Sequence, residues 1–351
     1  MRRNRLYAFA MLVTVAVVAG PALATTVQSH APHVAKRKTS TKVRSRGPRG
    51  PRGARGPRGR VGASGRAGAT GASGSAAGSF LRTIVVSPGA TASAGGTALL
   101  AAVSGIAGAS VTTPYLIWIE PGAYELGTTP LRIPSDVDVQ GSGQDVTTIE
   151  GVGPLTLSAA AATEVRQLTV TDINTAGSAD AIDTSGGLRD LTAIASASGS
   201  GAATGVLANG STMPLVDVTA SASGSGTSPL VAALDTQNSA QIVGGAFTAT
   251  DEAGTSKAVA LYAESSTSVS DATLSAGGGS LAFAVYTAAS NTTVTVNGST
   301  LVGAGGLYVA AGDTLDIGGS QVPGAAATGS GTVHCPDDWL AGYATANADC
   351  S

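Results

Sequence analysis

The sequence predicts an all-β fold, a parallel β-helix, on three observations. First, one unit recurs: "VRQLTV" from Val165, "LRDLTA" from Leu188, "LVDVTA" from Leu215, "IVGGAF" from Ile242, "VSDATL" from Val269 and "VNGSTL" from Val296. The first interval is 23 residues and the next four are 27. Self-similarity at a fixed period of this length marks a stacked repeat architecture. Second, the units carry short alternating apolar runs broken by Gly, Ser, Asn and Asp, where a helical pair would need three- and four-residue spacing. "TGVLA", "SPLVAAL", "AVALYA", "LAFAVYT" and "GLYVA" supply a further strand in successive units. Third, aromatic residues make up only 4% of the chain, and Ala, Gly, Ser, Thr and Val dominate the body, a composition for short strands and turns.

Short strands stacked coil on coil pair in parallel at about 4.8 Å and turn their apolar side chains into one core. The shared phase predicts that Val165, Leu188, Leu215, Ile242, Val269 and Val296 form one column. Two residues on, the third position of the unit is Gln167, Asp190, Asp217, Gly244, Asp271 or Gly298. The acids among them invite a metal or catalytic reading. Glycine at equivalent positions favours a stacked column of turn residues instead. The heptapeptide "ASASGSG" also recurs intact at Ala195 and Ala220.

At the N-terminus, Arg2, Arg3 and Arg5 precede an apolar run from Leu6 to Ala19, a Gly20-Pro21 break and the small-x-small triplet Ala22-Leu23-Ala24. This reads as a signal peptide over residues 1–24 and predicts a secreted protein. The alternative, an uncleaved anchor, requires about 20 apolar residues. No later segment is apolar for long enough to span a membrane. Fifteen of the 20 Lys and Arg residues lie at or before Arg66, and all 22 acidic residues lie at or after Glu120. The near-neutral total conceals a basic tail on an acidic body.

Residues 25–46 read as a disordered basic arm. Glycine then holds every third position from Gly47 to Gly74, giving ten Gly-X-Y triplets over residues 47–76. Only glycine fits the axis of a collagen triple helix, and Pro48, Pro51 and Pro57 preset the extended backbone. The segment resembles bacterial collagen-like stretches. That resemblance implies a homotrimer. A flexible linker is the alternative, with most weight in the proline-free second half. Arg49, Arg52, Arg55, Arg58, Arg60 and Arg66 lie on this lattice without an acidic partner, and are the candidate contacts to an anionic cell-surface polymer or polysaccharide. Nucleic acid would bind there only nonspecifically.

Residues 77–96 are read as a linker with the first strand, and residues 97–334 as the β-helix. "PYLIWIEPGAYELG" (114–127) gives a buried strand, a Pro-Gly turn and Tyr124, and "VDVQGSGQDVTTIEG" (137–151) gives strand, glycine-rich turn, strand and turn. Together they resemble the opening coils of the pectin-lyase-like superfamily, closest to secreted bacterial right-handed β-helix proteins. The resemblance reaches from about Thr83 to the C-terminus and is specific for fold. It implies a right-handed β-helix whose first coil is closed by a short helix. "TALLAAVSGIAGA" (97–109) fits that helix, with Leu99, Val103 and Ile106 along one face. The last segment, "CPDDWLAGYATANADC" (335–350), resembles the cysteine-bracketed end of the same proteins. Cys335 and Cys350 are the chain's only cysteines, and an even pair in an exported chain is a disulfide candidate. Residues 335–351 would then form a C-terminal cap, with Trp339 and Tyr343 over the last coil. A metal site at Asp337 and Asp338 is the alternative there, and a solvated acidic turn is favoured.

Polysaccharide lyases, pectinesterases and polygalacturonases share this fold, but fold alone does not give activity. The Gly-His-Gly, "LGRPW" and "DFIFG" elements of those enzymes are missing from the sequence. No cofactor or metal motif is evident. Arg166 and Arg189, one coil apart, and Asp190 are the residual catalytic candidates, with an inter-coil salt bridge as the plainer reading. Asp180 with Asp183 is a conceivable acid–base pair. Tyr262, Tyr286 and Tyr308 fall at similar phases, which signals a stacked column more often than a sugar platform. The sequence therefore favours a non-catalytic structural or adhesive surface protein whose head can bind polysaccharide. A polysaccharide lyase or hydrolase is the alternative.

Overall fold

The computed structural model describes residues 82–210, 213–227, 229–278, 281–322, 327–335 and 339–340. The signal segment, the basic arm, the Gly-X-Y segment with its six arginines, Asp337, Asp338, Tyr343 and Cys350 lie outside the described residues.

The chain forms an all-β parallel β-helix. A 19-stranded sheet takes up to two strand segments from each coil, and a nine-stranded sheet takes one. A middle coil runs Ala179–Thr184, Gly187–Ala197, then Ala203–Ala208 at the start of the next. Connections between parallel strands of one sheet take the right-handed path.

The six residues placed in one column by phase do pair coil to coil: Val165 with Leu188, Leu188 with Leu215, Leu215 with Ile242, Ile242 with Val269, and Val269 with Val296. The column continues upstream through Val139 and Ile117 to Ile84, and downstream to Ile317. A second inward column rises through the nine-stranded sheet, from Leu131 through Leu157, Ile182, Val206, Leu234, Leu261 and Val285 to Leu307. All eight of its residues are fully buried. Stacking like on like fills the core chiefly with aliphatic side chains, and Tyr124 and Phe247 are large aromatics fully buried within it.

Alanine richness has a packing cause. A Cβ added to Gly205 would come within 2.6 Å of the Ala233 carbonyl oxygen and 3.3 Å of Ala220 Cβ. Even one methyl is too large at Gly205, and the alanines around it, Ala220 and Ala233, are buried in the core. The twin heptapeptides do not pair in phase: Ala195 lies beside Ala222, two residues away from a match. An offset of two preserves the pleat, so alanine stays inward and serine outward in both copies.

The turn column is a left-handed one. Gln167, Asp190, Asp217, Gly244, Asp271 and Gly298 have φ of 57°, 47°, 52°, 72°, 55° and 57°. Gly, Asn and Asp enter this region at least cost. The alternation is also steric, because a Cβ at Gly244 would overlap the Asp217 carboxylate.

The predicted helix over 97–109 is displaced: α1 spans Ala92–Ser104. Thr91 caps it, accepting from the Ala94 amide at 3.2 Å, and the Gly105 amide donates back to Ala101 at its end. Gly95 and Gly96 read as breakers in sequence. In the fold they let the first turn press onto the strand Gly122–Gly127, where any Cβ on Gly96 would collide with the Glu125 carbonyl. Leu99 and Val103 are buried as expected, whereas Ile106 lies past the helix and is only partly buried against the core.

Candidate functional site

Two side-chain clusters lie outside the core. The first holds the residues singled out from sequence. Arg166 and Arg189 are paired on adjacent coils. Glu164 joins them, accepting from Arg166 Nη1 at 2.8 Å and from Arg189 Nε at 2.7 Å. Arg166 also gives Nε and Nη2 to Gln140 Oε1 and Nη1 to Asp138 Oδ2 at 3.4 Å. The Glu164 carboxylate holds the Arg189 guanidinium above its ordinary value. This inter-coil ladder engages Nε, Nη1 and Nη2 of Arg166 and Nε of Arg189, whose side chain stays 47% exposed. Asp190 sits beside it as one of the left-handed turn residues.

The second cluster occupies the outer face of the nine-stranded sheet. Asp183, Leu207, Asp235, Tyr262, Tyr286 and Tyr308 follow one another in register along the helix axis. Each alternates with a buried inward neighbour. The three tyrosine rings stack at 5.4 and 4.3 Å between centroids, both within 10° of parallel. Phe283 packs edge-on against Tyr286 and Tyr308 at 5.5 and 5.9 Å, and Lys257 Nζ lies 3.8 Å from the Tyr286 centroid. Rings stacked on one another turn their edges and hydroxyls outward. The ladder is therefore external, and it is a rail of phenols instead of a platform of ring faces.

Carboxylates form the other end of this face. Asn209 Nδ2 donates to Asp183 Oδ1 at 2.6 Å, and Thr204 bonds Asp180. Burial raises Asp180, and Asp183 nearby adds to that. Asp235 is 8% exposed, and its Oδ1 has no hydrogen-bond partner. Burial first, then Glu264 and Asp180, push its carboxyl up to about 7. A carboxyl poised there can both hold and release a proton at neutral pH. Among the described residues no group of three or more His, Cys, Asp and Glu is arranged to hold a metal ion.

Sequence reasoning paired Asp180 with Asp183 but missed Asp235 and Glu264. The signal was present: "AIDT", "GVLA", "ALDT", "ALYA", "AVYT" and "GLYV" align the whole outward column in one frame.

The cluster thus defines a class: a parallel β-helix with an acidic and phenolic strip along one outer sheet. No protein-family model and no curated protein sequence matches the chain. Among solved structures it is similar to a pectin methylesterase from carrot, at 13% identity over 70% of this chain and 80% of that one, with a TM-score of 0.42. A pectin methylesterase from Erwinia chrysanthemi follows at 11% identity, 78% and 92% coverage and a TM-score of 0.38. The A-module of a mannuronan C-5 epimerase from Azotobacter vinelandii gives 11%, 70%, 90% and 0.28. The fold rests on the register described above, and no residue role is carried over from these structures.

Proposed function

We propose that the protein is a secreted, non-catalytic surface protein, a basic collagen-like stalk bearing a β-helical head that binds polysaccharide along the outer face of the nine-stranded sheet. The observation that carries the reading is the axial column from Asp183 to Tyr308, where phenol and carboxyl groups recur at coil spacing. A linear polymer lying parallel to the axis would meet one such group in nearly every coil. The stalk rests on the ten Gly-X-Y triplets of residues 47–76, which would assemble three chains. Its six arginines would then concentrate positive charge on anionic cell-surface polymers. Helix α1 serves as the cap on the first coil, keeping its open strand edges from associating. A Cys335–Cys350 bond would close the other end; Cys335 is 1% exposed.

The test is retention of the full secreted chain on immobilised glycans, with its mass measured by light scattering. A trimer retained by one or more polysaccharides is expected. Tyr286→Ala removes the central phenol and both stacking contacts, and should weaken retention by about two- to tenfold. No retention by any polysaccharide, anionic or neutral, would reject the reading.

The raised Asp235 carboxyl favours a second reading, a polysaccharide lyase or hydrolase using Asp235 as the acid. Polymer cleavage that disappears in Asp235→Asn would replace the first reading with this one.

A further inference from the structure

A third face differs from both clusters in carrying no charge along six successive coils, from Thr171 onward; the first charge in its columns is Glu150, paired with Thr171 at the upstream end. Thr169, Thr192, Thr219, Ala246, Thr273 and Thr300 lie in register on six successive coils. Beside them runs Thr171, Ile194, Ser221, Thr248, Ser275 and Val302. A third, partial column adds Ser196, Ser223 and Thr250. All alternate with buried inward neighbours, and Thr219, Thr248 and Thr273 are exposed. Gln144 overhangs one end, accepting from Thr169 at 2.7 Å and Thr192 at 3.0 Å. Beyond it the outward positions carry only hydroxyls, methyls and hydrogens. The surrounding body is acidic, so this vacancy of charge is local.

The geometry is a rigid grid. Rows repeat at about 4.8 Å along the axis, and positions within a row at about 6.6 Å. Each hydroxyl contributes little alone, because bonding to a solute only replaces bonding to water. A flat array of weak, equivalent groups gains most against a partner that is itself periodic. An ionic mineral is disfavoured by the missing charge. A soluble glycan is disfavoured by the missing aromatic groups, which the face of Tyr286 does supply; amide and carboxylate groups stand at the grid's upstream end, in Gln144 and Glu150. A second copy is disfavoured by size: the grid covers roughly 300 Å², well short of the ~800 Å² per partner of a stable interface. We propose that this hydroxyl–methyl face binds ice, its threonine hydroxyls and methyls holding interfacial water in the spacing of the growing lattice. The inference does not rest on the polysaccharide reading, which concerns a different face.

The experiment grows a polycrystalline ice sample, and separately a single ice hemisphere, from dilute full-length protein. Retarded recrystallisation and enrichment of protein in the ice fraction are expected. Thr219→Lys with Thr248→Lys places two charges mid-grid on exposed positions and should cut both effects by about tenfold or more. Its melting temperature, read by circular dichroism, should match the parent. Gln241→Lys, exposed on another face, should leave both effects unchanged. Exclusion of the parent protein from ice, or equal incorporation of the double variant, would overturn the proposal. So would grid-dependent binding to powdered cellulose or chitin without ice enrichment, which would assign the face to a neutral polysaccharide.

Discussion

Leu215→Asp should abolish the folded head, while Val216→Asp, one residue further on, should leave it intact. Leu215 is fully buried between Leu188 below and Ile242 above. An aspartate there meets only aliphatic neighbours, and an unpaired buried charge costs several kcal/mol even after relaxation. In a solenoid each coil is held chiefly by its two neighbours, so losing one interface uncouples the stack on either side. Loss of the cooperative thermal transition, or expression only as insoluble protein, is the expected result. Val216 points outward, in register with Arg189 and Val243. Its replacement by aspartate sets a carboxylate one coil from a guanidinium and should change stability by no more than about 0.5 kcal/mol. Comparable melting curves for the two variants would mean that the pleat does not alternate as described.

That contrast also marks what was legible in the sequence. Period-two alternation and a fixed repeat are local properties, so the column from Val165 to Val296 could be read directly. The turn column could be read as well, since Gln167, Asp190 and Gly244 share a phase and a need for left-handed backbone. Helix α1 was misplaced because Gly95 and Gly96 lower helix propensity, and the contact that rewards them, against Glu125, is long-range. The heptapeptide copies start at Ala195 and Ala220 and do not pair in phase, because the register between those coils sets Ala195 beside Ala222. Asp235 was hidden for a third reason. Its special property is desolvation on the outside of a sheet, which depends on neighbouring coils and not on its own strand. The tyrosines could be seen as a stack, but not on which side of the sheet they stood.

The pH dependence of stability tests that desolvation. Asp235 is raised from 3.8 to about 7 and Asp172 from 3.8 to about 6, in both cases chiefly by burial. Asp172 is fully buried, accepts one hydrogen bond from Thr156 at 2.9 Å and has no partner at Oδ1. An acid whose pKa is raised by folding keeps its proton in the folded chain after the unfolded chain has released it. The unfolded state then binds fewer protons, so stability falls as pH rises. For Asp235 the fall begins near the unfolded value of about 4, ends near 7 and is flat above. For Asp172 it ends near 6. Full titration of Asp235 is worth roughly 4 kcal/mol. Asp235→Asn removes that penalty but leaves an amide group without a partner, which costs about 1–3 kcal/mol. The variant should therefore equal or fall below the parent at pH 4 and gain on it steadily up to pH 7. Each kcal/mol corresponds to about 2–4 °C in melting temperature for a domain of this size. Taking the difference between variant and parent cancels the titrations they share. Asp172→Asn should show a smaller gain of the same sign, with its plateau about one pH unit lower. A difference that is flat from pH 4 to 8 would place the Asp235 carboxylate in solvent. The acidic end of the strip would then be an ordinary ionised surface, able to hold a cationic or hydroxylated polymer but unable to deliver a proton to one.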